Sequence, residues 1–286
     1  MCKEWEQNRP QVDEILRSCG GADWGTCALD GIPLSPEARE KVEALCPDAK
    51  GVFCLAFPYY AGNKPGNLSL YARGEDYHQA ITRRLETACA ALSALFPGRR
   101  FLPGVDNSPL PEREIARQAG LGIIGRNGLV ILPPYGSWIF LGTILTDLPL
   151  PSAAEPSAGC MNCGACVRAC PGGALREQPF DEGKCLSALT QQKGELTAAQ
   201  EALLRAHPLI WGCDICQQVC PYNREAICSP LFDLTGQGEV PYVASLTLEE
   251  LEGLTNRTFR AAYGNRAFSW RGPSVIRRNL TLKLRN

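Results

Sequence analysis

The sequence predicts an α/β (α+β) fold in which a larger N-terminal domain precedes a cysteine-rich module and a short helical end. Helical and strand-like apolar patterns alternate through the first 150 residues. LPLPSAAEPSAG (148–159), rich in proline, alanine and serine, reads as a linker. Beyond it, eight of the fifteen cysteines fall between residues 160 and 220. The expected divisions are residues 1–150, 156–230 and 231–286.

The elements follow from local pattern. LSPEAREKVEALC (34–46) has helical spacing, with Ser35 as N-cap and Pro36 at the first helical position. KGVFCLAFPY (50–59) is an apolar run of strand length closed by a proline-aromatic turn. EDYHQAITRRLETACAALSALF (75–96) places Ile81, Leu85, Ala88, Leu92 and Leu95 on one helical face. RRFLPGVD (99–106) reads as a short strand, PEREIARQAGLG (111–122) as a glycine-stopped helix, and SWIFLGTILTDL (137–148) as a buried strand. TLEELEGL (247–254) and the basic RGPSVIRRNLTLKLRN (271–286) are the helical stretches of the tail. GLGIIG (120–125) has the look of a dinucleotide fingerprint, but it follows a helix rather than a strand, so that reading is weak.

Composition narrows the class. Hydrophobic content of 45% and charged content of 21% are ordinary for a globular chain. No apolar run reaches membrane-span length, and MCKEWEQNRP has no apolar signal core. The expectation is a cytoplasmic protein with no membrane partner. A net charge of −1 excludes bulk electrostatic binding of nucleic acid while leaving room for a local basic face. An odd cysteine count does not suit a fully paired disulfide framework, and clustered thiols in a reducing compartment more often hold metal. His78 and His207 are the only histidines, which argues against a histidine-rich metal site.

CMNCGACVRACP (160–171) has the C-x2-C-x2-C-x3-C-P spacing of bacterial ferredoxins. Three thiolates on one tight loop reach three corners of a cubane, and the fourth cysteine points away to another cluster. CDICQQVCP (213–221) is one ligand short of a repeat, and Cys185 in GKCLSAL is the candidate for the missing one. Crossed ligation then puts Cys160, Cys163, Cys166 and Cys220 on one 4Fe–4S cluster. Cys170, Cys185, Cys213 and Cys216 hold the second. Structural zinc usually uses two C-x2-C pairs rather than a triplet followed by Cys-Pro. Cys2, Cys19, Cys27, Cys46, Cys54, Cys89 and Cys228 are scattered, and buried apolar thiols explain most of them. A cluster pair needs only about sixty residues as a carrier, so the long preceding domain suggests a bound acceptor for the electrons.

YARGEDYH (71–78), VDNSPLPER (105–113), AGLGIIGRNGLVILPPYGSWIFLGTILTD (119–147), the first cysteine run with PGGAL, KCLSALTQQKG (184–194) and GCDICQQVCPYN (212–223) occur in this order. Together they resemble the epoxyqueuosine reductase family, cobalamin- and iron–sulfur-dependent enzymes of queuosine synthesis in tRNA. The resemblance implies a nitroreductase-like cobalamin-binding domain before the ferredoxin-like module. It also implies that the clusters feed electrons to cobalamin, and that Asp106 donates a proton as the epoxide oxygen leaves. Residue chemistry alone favours an Asx turn at Asp-Asn-Ser-Pro. Cobalamin contacts implied by motif position are Tyr71, Ala72, Val130, Pro133, Leu141, Ser187, Cys213 and Asp214, although Val130 and Leu141 would be core residues on any reading. His78 is not expected to ligate cobalt, since the family binds cobalamin without a histidine ligand.

Gln191, Gln192 and Lys193 match a stretch that faces tRNA in the family, and Arg271, Arg277, Arg278, Lys283 and Arg285 form a basic stretch that could meet phosphates. The alternative for these charges is a solvated helix face. The expected partners are tRNA carrying epoxyqueuosine and an external electron donor such as a flavodoxin or ferredoxin, with the protein a monomer. The sequence reads as a short form, ending where many family members continue into helical repeats. It departs from the family pattern at Arg126, Gly128 and Gly172. Two other functions compete: a cobalamin-dependent reductase of a small molecule, like the reductive dehalogenases, and a non-enzymatic iron–sulfur electron-transfer protein.

Overall fold

The computed structural model describes residues 3–153, 159–176 and 179–284, so residues 154–158 of the expected linker, together with Cys2 and Arg285, lie outside the described residues. The chain divides into two compact units, Met1–Pro58 with Tyr77–Met161, and Tyr59–Asp76 with Asn162–Asn286. The sequence reading kept residues 59–76 in the first domain and separated 231–286 from the cysteine module; the structure groups both segments with residues 162–230.

The first unit is built on a four-stranded antiparallel sheet. Its elements are α1 (Lys3–Ser18), β1 (Asp23–Ala28), α2 (Pro36–Leu45), β2 (Gly51–Pro58), α3 (Tyr77–Leu95), β3 (Phe101–Gly104), α4 (Glu112–Gln118), β4 (Ile123–Ile124), β5 (Val130–Ile131) and β6 (Ile139–Thr146). The sheet order is β1-β2-β6-β3, and β4 and β5 form a separate small hairpin. Antiparallel pairing throughout places the unit on the α+β side of the expected class.

Every residue of β2 is buried, and its alternation explains why. Val52, Cys54 and Ala56 pack with Val42 of α2 and with Ile115 and Ala116 of α4. On the other face Phe53 meets Trp5 of α1, and Phe57 lies beside Ile81 and Leu85 of α3 around Gly142. A strand covered on both faces loses the polar–apolar alternation of a surface strand and reads as a continuous apolar run. Helix α2 starts as its sequence dictates: the Ser35 hydroxyl accepts the Ala38 N–H at 3.2 Å, and Pro36 opens the helix.

The second unit contains α5 (Ala165–Ala169), α6 (Leu186–Gln191), α7 (Ala198–Ala206), α8 (Ile215–Gln218), α9 (Phe232–Thr235), α10 (Leu248–Leu251), α11 (Asn256–Tyr263) and α12 (Pro273–Leu284). Leu186 and Leu189 of α6, Leu204 of α7 and Leu282 of α12 form an apolar cluster. Residues 59–76 are tied into this unit by backbone and buried polar contacts. Leu68 bridges Trp211, the buried Arg73 donates to the Leu68 and Lys64 carbonyls, and Arg266 donates to the Arg73 and Gly74 carbonyls. No helix among the described residues is long and apolar enough to cross a membrane.

Candidate functional site

In the first unit, Asp106 follows β3 on a loop that brings three other polar groups to it. Pairing of β3 and α3 against β6 carries the first turn of α3 to this loop. The Tyr77 hydroxyl donates to Asp106 Oδ2 at 2.9 Å, and His78 Nε2 lies 3.0 Å from the same oxygen. Tyr77 is fixed in turn by stacking, with Phe140 of β6 at 4.2 Å on one contact and His78 at 4.0 Å on the other. The Asp106 N–H donates to Glu112 Oε1 at 2.8 Å. Asp106 itself sits at φ 57°, left-handed backbone that aspartate tolerates better than most residues. Its carboxylate therefore engages α3 rather than closing the Asx turn that its own loop sequence favours.

The His78 hydrogen bond, with the Tyr77 bond behind it and burial opposing both, holds the Asp106 carboxyl below its usual pKa. Glu112 moves the other way: burial first, then the nearby Asp106 charge, push its carboxyl up to about 8 against the Asp106 N–H bond. A carboxyl that keeps its proton in the folded state but not in the unfolded one makes stability fall as pH rises through the interval between the two pKa values. Glu112→Gln retains an acceptor for the Asp106 N–H and removes this titration. The variant is expected to lose less thermal stability than wild type between about pH 4.5 and 8, a difference of at most about 1.4 kcal/mol per pH unit. Parallel melting profiles of the two proteins across that range would contradict the assignment.

The remaining residues expected at cobalamin from the first unit are set differently. Val130 is buried in the apolar core and the half-buried Leu141 packs against it, as expected of core residues. Pro133 is exposed on the turn after β5. In the second unit, the Tyr71 hydroxyl accepts Trp211 Nε1 at 2.9 Å and Gln191 Nε2 at 3.4 Å. Asp214 is 2% exposed, accepting the Leu70 N–H at 2.9 Å and the Ser69 hydroxyl, so its carboxylate anchors the 69–72 turn. Ala72 is buried, while Ser187 and Cys213 are half-buried.

The cysteines separate by exposure in part, with Cys228 exposed although it lies outside the expected ligand set. Cys19, Cys27, Cys46, Cys54 and Cys89 are buried in the first unit, where burial raises each thiol pKa. The eight expected cluster ligands are all half-buried or exposed. Asn162 and Gly164 take left-handed backbone that curls the first loop, and α5, which begins at Ala165, packs against α8. Burial, with the Asp214 charge behind it, pushes the Cys213 thiol up to about 12. Among the described residues no three His, Cys, Asp or Glu side chains close around a single metal ion. The run of thiols on this curled loop suits the donor chemistry of a 4Fe–4S cluster.

Gly172 contributes to the packing around these loops. A Cβ there would sit on the Lys184 carbonyl oxygen, so the backbone after Cys170 lies directly against the backbone leading to Cys185. Glycine, with no Cβ, permits that close approach.

The basic tail is mostly committed elsewhere. Arg277 donates to the Leu251 and Leu254 carbonyls, Arg278 to those of Gln192 and Gly194, and Lys283 to those of Leu204 and His207. These three charges tie α12 to its neighbours, which corrects the expectation that they present themselves to phosphate. Arg271 lies over the ring of the exposed Trp270 at 3.6 Å, and Trp270 Nε1 donates to Gln191 Oε1 at 3.3 Å. Gln192 is half-buried and Lys193 is exposed.

Comparison with known proteins is consistent over nearly the whole chain. A family model described as Epoxyqueuosine reductase QueG, DUF1730, matches residues 39–107, and one described as a 4Fe-4S double cluster binding domain matches residues 159–223. The epoxyqueuosine reductase of Lactococcus garvieae is 34% identical over 255 residues, spanning 84% of this chain and 70% of the relative. This chain belongs to the epoxyqueuosine reductase family. A Synechocystis epoxyqueuosine reductase is 34% identical over 86% of this chain and 87% of its own length. A crystal structure of an epoxyqueuosine reductase matches 98% of this chain and 81% of that one, at 27% identity and a TM-score of 0.85. An epoxyqueuosine reductase bound to an epoxyqueuosine-modified tRNA-Tyr stem loop matches at a TM-score of 0.84 and 25% identity, with the same coverage. Epoxyqueuosine reductase from Bacillus subtilis, matched at a TM-score of 0.83 and 26% identity, has been captured with its catalytic aspartate loop swung out of the active site.

Neither partner of Asp106 was legible as such in the sequence: Tyr77 lies 29 residues away and His78 lies 28. His207 was also missed. Its Nε2 lies 3.2 Å from Cys213 Sγ, and no spacing rule connects it to the cysteine bursts.

Proposed function

We propose that this protein reduces epoxyqueuosine to queuosine in tRNA, using cobalamin supplied with electrons by two 4Fe–4S clusters. Family membership over both halves of the chain, with all eight candidate cysteine ligands present in the sequence, is the observation that carries this reading. The reductive dehalogenase-like and electron-carrier alternatives are set aside because relatives matched along most of this chain share the epoxyqueuosine reductase name.

Cobalamin, when bound, supplies the strong reductant that the epoxide-bearing ring requires. The protein's donor set suits a cofactor without a histidine ligand: His78 is engaged with Asp106, and both ring nitrogens of His207 are engaged within the second unit. The family resemblance assigns contacts with it to peptide groups at Val130, Pro133 and Leu141 of the first unit and, separately, at Ala72, Ser187 and Cys213 of the second, where Asp214 fixes the turn at residues 69–72. Net chemistry is two electrons and two protons in, with water out.

Asp106 is the residue we assign to proton delivery. Its carboxyl is ionised at neutral pH, so its proton must arrive through its partners. Tyr77 and His78 both meet Oδ2, which leaves delivery to substrate to Oδ1. A donor placed beside a developing alkoxide contributes about 10²–10⁴ in rate.

Gln191, Trp270, Arg271 and Lys193 form the tRNA-facing surface in this reading. A ring exposed at 57% and backed by a guanidinium can stack on an unpaired base. Trp270→Ala is expected to weaken binding of an epoxyqueuosine tRNA stem loop by about 1–3 kcal/mol without changing the iron content. An unchanged dissociation constant in a fluorescence-anisotropy titration would remove Trp270 from the interface. The protein is read as a cytoplasmic monomer that draws electrons from a flavodoxin or ferredoxin.

Expression in a bacterium lacking its own epoxyqueuosine reductase tests the function. Nucleosides from digested tRNA should shift from epoxyqueuosine to queuosine. Persistence of epoxyqueuosine, despite a protein carrying both clusters and cobalamin, would contradict the proposal.

A further inference from the structure

His207 caps the C-terminal end of α7 and is 4% exposed. Its Nδ1 accepts the Leu209 backbone N–H at 2.9 Å, so that nitrogen carries no proton. The ring proton therefore resides on Nε2, which lies 3.2 Å from Cys213 Sγ. Lys283 of α12 donates to the His207 carbonyl and so holds the backbone that carries the ring. Imidazole tautomer, ring orientation and sulfur acceptor are thus fixed by contacts within one unit.

We infer that His207 sets the reduction potential of the cluster held by Cys170, Cys185, Cys213 and Cys216, through an Nε2–H···Sγ bond to Cys213. The inference rests on the assignment of those four cysteines to one 4Fe–4S cluster. Reduction adds one electron to the cluster, and part of its charge falls on the ligating sulfurs. A donor aimed at one sulfur stabilises the reduced state more than the oxidised state, and hydrogen bonds to the sulfurs are among the established determinants of cluster potential. His207 is a positioning and tuning residue in this account, since it touches a ligand rather than iron or substrate.

The test uses the full chain, reconstituted anaerobically, with wild type compared to His207→Phe and His207→Gln. Redox titration followed by electron paramagnetic resonance gives a midpoint for each cluster. In His207→Phe one midpoint is expected to fall by about tenfold in the reduction equilibrium, ~59 mV for one electron, while the other stays in place. His207→Gln, which keeps an N–H donor, is expected to restore part of the shift. Wild type grown on ¹⁵N-histidine should also show nitrogen coupling to one reduced cluster, and that coupling should vanish in His207→Gln. This second readout decides the matter if His207→Phe does not fold.

Unchanged midpoints in His207→Phe, or no histidine nitrogen coupling in labelled wild type, would overturn the inference while leaving the cluster assignment intact. Wild type that binds about four irons instead of about eight would overturn the cluster assignment, and the inference with it.

Discussion

Asp106→Ala is expected to retain both clusters and cobalamin and to lose about 10²–10⁴ of the turnover rate. The carboxylate is the point at which Tyr77 and His78 converge, and its removal leaves neither with an acceptor at Oδ2. Alanine at a left-handed position also carries a backbone cost of about 1–2 kcal/mol. Asp106→Asn separates the two effects, because asparagine tolerates that backbone but cannot carry the proton. Both variants should fall together in turnover, with iron and cobalt content unchanged. A wild-type rate in either one, measured by nucleoside analysis of a tRNA stem loop, would exclude Asp106 as the acid.

Cys185→Ala is expected to cost one cluster of the two, about four irons per chain. Cys185 ends a short turn, its N–H donating to the Glu182 carbonyl at 3.0 Å, and caps the start of α6. Gly172 brings the backbone after Cys170 against that turn. Losing one corner of this set should release the second cluster and leave the one assigned to Cys160, Cys163, Cys166 and Cys220. With electron delivery to cobalamin interrupted, turnover should fall with it. An iron count equal to wild type would mean that another residue supplies the eighth ligand.

The elements that the sequence announced are those whose signals are local. The helix capped by Ser35 and the apolar strand at residues 51–58 appear where their patterns place them. The double-cluster module was legible for the same reason, since its cysteines recur at fixed short spacings. Strand β1 was missed because DWGTCA lacks both alternation and a sustained apolar run. Helix α1 was missed because Pro10 lies inside a largely polar stretch, and its apolar face reduces to Trp5, Val12 and Leu16.

Non-local features were the least legible. Residues 59–76 join the second unit through the Leu68–Trp211 bridge and through bonds to Asp214, partners more than 140 residues distant. Asp106 was singled out only through family resemblance, whereas its local sequence favoured a turn. Charge misled at the C-terminal helix. Arg277, Arg278 and Lys283 look like a phosphate-binding stripe in sequence, yet each meets main-chain carbonyls in the fold. Long cationic side chains can be used to fix helix packing, and composition does not reveal which use prevails.

The central claim is best tested by anaerobic turnover with the purified, cofactor-loaded protein. Iron and cobalt are counted first, and the protein is then incubated with a chemical reductant and a tRNA stem loop carrying epoxyqueuosine. With about eight irons and one cobalt per chain, the account predicts conversion of epoxyqueuosine to queuosine, detected by mass spectrometry of the digested nucleosides. The same loaded protein leaving epoxyqueuosine intact under that reductant would contradict it.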